Sequence, residues 1–237
     1  MPNFKTYIGN EKYNIGCTGQ TIYVYDKEGV ELARFKDMHY AYHTAISPNG
    51  DIFVVKTTDG MLGVYSLERL ELIKKFRFSK VDGAQDDNFC FSPDGKEFYN
   101  IERHIDSLKT ALSVYETETF SLKKRLLDAD HNLCLSNIEY DAKENMIYLT
   151  GYFRNKESGV TSKSFVGQLI NDELKNIYYT TQDEHFYDFG LKALELSGYT
   201  DFSKKWSILN FWGDDLNSVQ ESNDSLAKRW KYYAEKK

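Results

Sequence analysis

Apolar and polar residues alternate in short runs along most of this chain, and polar turn-forming residues separate the runs. A period of two puts every second side chain on one face, which is the signature of β-strands rather than helices. Two segments mark it most clearly, Ser47-Pro-Asn-Gly-Asp-Ile-Phe-Val-Val and Ser92-Pro-Asp-Gly-Lys-Glu-Phe-Tyr-Asn. The chain has three prolines, and two of them, Pro48 and Pro93, occupy this same slot. Pro presets φ for a tight turn and the following Asn-Gly or Asp-Gly tolerates positive φ. The pattern therefore predicts antiparallel hairpins turning at Asn49-Gly50 and Asp94-Gly95, with a further turn at Asp59-Gly60.

A second periodic signal follows each turn. Val24, Val64, Val114 and Val166 each have a leucine eight positions later, at Leu32, Leu72, Leu122 and Leu174. Each pair brackets a strand, a polar turn and another strand. The valines lie 40, 50 and 52 residues apart, a spacing that suits a four-stranded propeller blade and exceeds that of a leucine-rich or tetratricopeptide unit. Tyr7-Ile-Gly-Asn aligns on Ser47-Pro-Asn-Gly when Val24 is set on Val64, so a first unit begins near residue 2. A fifth unit is marked by Ile208, 42 residues after Val166, and by Leu216, although residues 191–212 hold no matching turn. The expectation is an all-β chain, a β-propeller of about five four-stranded blades over residues 1–222. Four blades plus an irregular closing segment is the alternative. Phe53, Val55, Val64, Leu72, Val114 and Leu122 are expected in its core.

The turns Ser47-Pro-Asn-Gly-Asp and Ser92-Pro-Asp-Gly-Lys, with Val64-Tyr-Ser and Val114-Tyr-Glu after them, resemble those of WD-repeat and related bacterial YVTN-type propellers over roughly residues 2 to 180. The chain has no Trp-Asp dipeptide at a blade end and no Gly-His at a blade start, so the resemblance is to the propeller superfamily in degenerate form. It implies that the first strand of each blade lines a central channel and that loops at its start form a ligand-binding rim.

Setting Ser47, Ser92 and Asp141 in register puts His43, Asn88 and Asn137 at one strand position, and Ala45, Cys90 and Glu139 two residues on. Tyr40, Asp86, Asp87, His131, Asn132, Glu184 and His185 lie just upstream, on the same rim. The binding surface expected from this reading is Tyr40, His43, Asp86, Asp87, Asn88, His131 and Asn137. The carboxylates Asp86, Asp87, Glu139, Asp141, Glu184 and Asp188 are placed where a glycoside hydrolase of five-bladed type would carry its acid and base. A structural subunit of a larger assembly is a third reading.

Composition narrows the function. Hydrophobic residues are 41% and aromatic residues 15%, led by 18 Tyr and 15 Phe, which favour strands and supply a core. The net charge of −6 gives no attraction to a phosphate backbone or an anionic leaflet, which argues against nucleic-acid and membrane partners. Met1-Pro-Asn-Phe-Lys-Thr-Tyr-Ile is not a secretory signal, and no apolar run reaches the ~18 residues of a membrane span, so a cytoplasmic protein is expected. Cys17, Cys90 and Cys134 are odd in number and widely spaced, as buried thiols rather than a disulfide or zinc framework. His39 and His43, four apart on an extended strand, are separated by about 13 Å, too far for one metal. No G-x-S-x-G, G-x-x-x-x-G-K-[ST] or G-x-G-x-x-G motif is present, and no cofactor is expected. The sequence points to a non-catalytic scaffold that binds a macromolecule, a protein, through its rim.

The end of the chain breaks the β pattern. Asp224 can cap a helix in which Leu226, Trp230 and Tyr233 share one face. Residues 225–237 carry a net charge of +4, leaving −10 on the rest. So short a helix is marginal alone, and an amphipathic helix over 223–237 is expected to pack on the same domain.

Overall fold

A computed structural model describes residue 4 and residues 6–78, 89–103, 110–130, 132–154, 161–180 and 226–236. These residues form four antiparallel sheets, each a meander of four strands consecutive in the chain. The first holds β1 (Thr6–Gly9), β2 (Tyr13–Cys17), β3 (Ile22–Asp26) and β4 (Glu31–Phe35), and the second β5 (Ala41–Ile46), β6 (Ile52–Thr57), β7 (Met61–Ser66) and β8 (Glu71–Arg77). The third holds β9 (Phe89–Phe91), β10 (Glu97–Arg103), β11 (Thr110–Glu116) and β12 (Ser121–Leu126), and the fourth β13 (Leu133–Asp141), β14 (Met146–Arg154), β15 (Thr161–Ile170) and β16 (Glu173–Thr180). Helix α1 (Leu226–Glu235) follows. The expected fifth unit, around residues 191–212, lies outside the described residues.

Local turn chemistry sets the start of each meander. Gly50, Gly60 and Gly95 take φ of 76°, 83° and 69°, as their hairpin turns require. One short polar residue ends each first strand and ties the turn with its side chain. Asn10 Oδ1 accepts from Tyr13 N at 2.8 Å, Ser47 Oγ from Ile52 N at 3.1 Å, Ser92 Oγ from Glu97 N at 2.9 Å and Asp141 Oδ1 from Lys143 N at 2.8 Å. Ser47, Ser92 and Asp141 are thus equivalent by strand pairing as well as by sequence, since Ile46, Phe91 and Tyr140 before them face Phe53, Phe98 and Ile147. In the first sheet the equivalent residue is Asn10, because Ile8 faces Ile15 as Ala45 faces Val54. The gapless match of Tyr7 to Ser47 is corrected accordingly: the first turn is shorter, and an alignment anchored at Val24 cannot register a deletion upstream of it.

The repeated valines mark a β-bulge. Pairing between third and fourth strands slips by one residue directly after Val24, Val64, Val114 and Val166. The leucines eight residues on do not behave alike: Leu174 packs partly buried against the core of the third and fourth sheets, whereas the other three are exposed. Leu32, Leu72 and Leu122 are 39%, 36% and 44% exposed, and the expectation that Leu72 and Leu122 are buried is corrected. Each lies on the outermost strand of its meander, which has a strand neighbour on one side only. Leu72→Ala is accordingly expected to cost about 1 kcal/mol or less in chemical denaturation.

The described strands fall into two compact units, one with β1–β8 and one with β9–β16 and α1. In the first, Ile15, Cys17, Ile22 and Val24 meet Phe53, Val55, Tyr65 and Leu67 in one buried cluster. In the second, Tyr99, Ile101, Leu112 and Val114 meet Leu135, Ile138, Leu149 and Phe165. Each core thus joins two consecutive sheets face to face, as neighbouring blades of a propeller-like fold do. Phe53, Val55, Val64 and Val114 are at most 1% exposed, as expected of core positions.

Candidate binding rim

The candidate rim residue of the first unit, Tyr40, lies where β5 begins beside the β6–β7 turn. Ala41 N donates to Gly19 O at 3.0 Å and Thr58 N to Tyr40 O at 3.1 Å, so backbone bonds from both sides hold the residues at the strand start. Between them Tyr40 adopts φ 57°, a left-handed conformation that costs an L-residue roughly 1–2 kcal/mol. Its ring is not what the fold uses, for Tyr40 is 57% exposed. Asp59, in the adjoining turn, accepts hydrogen bonds from Thr57 Oγ1 and, through its carbonyl, from Arg77. Just before β5, Asp37 Oδ2 accepts from the buried Tyr65 hydroxyl at 2.9 Å.

Two residues expected on this surface are buried. His43 is 7% exposed, on the strand face it shares with Lys56, which is fully buried with its Nζ 4.8 Å from the Phe78 ring. Asn137 is 1% exposed, opposite Thr150, and its Oδ1 accepts from Ile138 N at 2.9 Å. Alternation along each strand could not show that these positions would be covered. Asp86, Asp87, Asn88 and His131 lie outside the described residues, as do Glu184, His185 and Asp188. In the second unit Arg154 N donates to Asn132 O at 2.8 Å, the counterpart of Thr58 to Tyr40 in the first.

The two described carboxylates from the hydrolase set have structural bonds. Asp141 ties its turn, and Glu139, 7% exposed, accepts from Leu226 N at 3.0 Å through Oε2. That bond satisfies an orphan N–H in the first turn of α1 and sets a negative charge at the positive end of its dipole. Asp224, the expected cap, lies outside the described residues. Helix α1 rests on the fourth sheet. Leu226 and Ala227 are buried against Tyr148, and the Trp230 ring lies 5.9 Å from that of Tyr148 and 5.4 Å from that of Tyr178. Trp230 Nε1 donates to Asn176 O at 2.8 Å and Lys231 pairs with Glu144 at 2.5 Å. Sequence alone held no signal for Glu139 as the cap, because 87 residues separate it from Leu226.

Buried phenols beside carboxylates give this protein an alkaline limit. Burial, with the Glu31 charge adding to it, pushes the Tyr25 hydroxyl up to about 12. Burial raises Tyr65, Tyr99 and Tyr115 further still, each donating a hydrogen bond to a neighbouring carboxylate, Asp37, Glu97 and Glu102 respectively. Below about pH 10 these phenols are protonated in both the folded and the unfolded chain, and their stabilisation is fully present. Above that value the unfolded chain ionises first, so stability is lost as pH rises toward the folded values. Melting temperatures recorded from about pH 8 to pH 12 should be level at first and fall beyond about pH 10, with a shallower fall in Tyr65→Phe.

Sheets of four antiparallel strands, stacked in consecutive pairs, define an all-β protein with propeller-like blades. No protein-family model and no curated protein sequence matches this chain. Among solved structures it is similar to a chain of Kuenenia stuttgartiensis hydrazine synthase, at 16% identity and a TM-score of 0.56, over 75% of this chain and 53% of that one. This chain spans about half the length of that one. The likeness is one of fold alone and fits a propeller-like arrangement. Among the described residues no helix is long and apolar enough to cross a membrane.

Proposed function

We propose that this chain is a non-catalytic binding scaffold of the WD-repeat or YVTN propeller type, acting in the cytoplasm, which holds a protein partner through the rim that carries Tyr40. The supporting observation is the combination at Tyr40 of a half-exposed aromatic ring and a left-handed backbone that hydrogen bonds on both sides hold in place. A large ring kept in solvent on a rigid, unfavourable backbone does little for the fold. Strained residues of this kind concentrate where a surface is organised for contact. Tyrosine is also a favoured interface anchor, since it brings a large amphipathic area at a small entropic cost.

The two contributions separate in Tyr40→Gly. Glycine accepts the left-handed backbone without strain, so the variant should melt at the same temperature or slightly higher, by up to about 1 kcal/mol in stability. Loss of the ring should weaken the partner by about 2 kcal/mol or more if Tyr40 is an anchor. Recovery of partners on tagged protein from the native cell is the measurement. Equal recovery by wild type and by the folded Tyr40→Gly variant would place the binding surface elsewhere.

A further inference from the structure

We propose that Asn100 and Ser113 hold an internal water molecule on the third sheet, as part of a buried polar network with Glu102 and Tyr115. Asn100 on β10 and Ser113 on β11 are direct cross-strand partners, and both are 0% exposed. Residues opposite each other in this way project from the same face with Cβ atoms about 4.5–5.5 Å apart. Glu102 lies two residues along the same strand and so on the same face, and is 5% exposed.

The orientation of the Asn100 amide follows from its neighbour. Glu102 Oε1 accepts from Asn100 Nδ2 at 3.1 Å and from the Tyr115 hydroxyl at 2.5 Å. A carboxylate must be met by donors, so the amide presents its N–H side to Glu102 and turns its carbonyl away. Asn100 Oδ1 then has no partner among the described residues, and neither has Ser113 Oγ. Two fully buried oxygens on adjacent strands of one face are thus left without partners, where an unpaired polar atom costs more than immobilising one water.

Water matches both groups chemically. Amide oxygen only accepts and a serine hydroxyl can both donate and accept, so one water can donate to Asn100 Oδ1 and accept the Ser113 proton. Its second hydrogen is free for another acceptor, which gives the two to four partners that buried waters usually have. A metal ion fits less well. The carboxylate already holds two donors on one oxygen, and the amide turns nitrogen rather than oxygen toward it, so charged and neutral oxygens do not converge.

A high-resolution crystal structure of the full chain is the direct test. The expected result is a fully occupied water within about 3.2 Å of both Asn100 Oδ1 and Ser113 Oγ. In solution, a long-lived water should give cross-relaxation to the Asn100 side-chain amide protons, and this signal should be lost in Ser113→Val if that variant folds. The wild-type measurements stand alone if it does not. A direct Ser113 to Asn100 hydrogen bond with no water between them would overturn the proposal. So would density at metal–oxygen distances of about 2.3–2.6 Å.

Discussion

Replacing Phe53 with alanine is expected to lower the unfolding free energy by about 3 to 5 kcal/mol. Phe53 is 0% exposed and stands between Ile46 and Tyr65 in the strand ladder of the second sheet. Its ring stacks on that of Tyr65, with centroids 4.7 Å apart and planes 9° from parallel, and Phe35 from the first sheet closes in at 6.3 Å. Deleting this ring removes apolar burial and leaves a cavity between two sheets, each held rigid by its own ladder of backbone hydrogen bonds, so little collapse can offset the loss. Part of the effect belongs to the aromatic pair. A double-mutant cycle of Phe53→Leu with Tyr65→Leu should show coupling of about 0.5–1.5 kcal/mol. Urea titrations measure both quantities, and a loss from Phe53→Ala as small as that expected for Leu72→Ala would refute this account of the core.

Gly151→Ala should be at least as damaging, at about 3 kcal/mol or more, although it adds a single methyl. A Cβ at Gly151 would sit 2.2 Å from the Cys134 carbonyl oxygen and 3.0 Å from Leu135 Cα. Here β13 bulges between Leu135 and Asn137, and Leu135 remains the pairing partner of Gly151. Because the opposing atoms are backbone, no rotamer change clears the space and the ladder itself must open. Gly16 offers a contrast: a Cβ there would sit 2.4 Å from the Phe4 ring, an obstacle made of side chain rather than backbone. Thermal unfolding should therefore rank Gly151→Ala well below Gly16→Ala in stability. Equal midpoints would show that the bulge accommodates a side chain.

Features that depend on a few adjacent residues could be read in advance. Gly50, Gly60 and Gly95 have the positive φ that their turn sequences call for, and Ser47, Ser92 and Asp141 stand at equivalent strand ends. The helix at the end of the chain forms where polar β alternation gives way to the Leu226 and Trp230 spacing. The Val-to-Leu repeat was visible as a repeat, but its meaning was not. A bulge is a mismatch between two strands, and one strand's sequence carries no record of its partner's extra residue.

Strand alternation, turn chemistry and blade-length periodicity are local properties, fixed by backbone sterics and side-chain patterning within a few residues, and they determined four-stranded antiparallel units before any coordinates. Which faces are sealed was decided only by tertiary structure. His43 and Asn137 have the polar character of rim residues and are nonetheless buried, whereas Tyr40, an aromatic residue, stands in solvent. The difference lies in what packs over each face, which depends on sheets and loops distant in sequence. Glu139 shows the same limit at the level of charge: a strand carboxylate that could have served as a rim acid instead caps α1, because folding brings Leu226 N to within 3.0 Å of it. Burial and hydrogen-bond partnership are properties of pairs of surfaces, and a local stretch of sequence contains only one member of each pair.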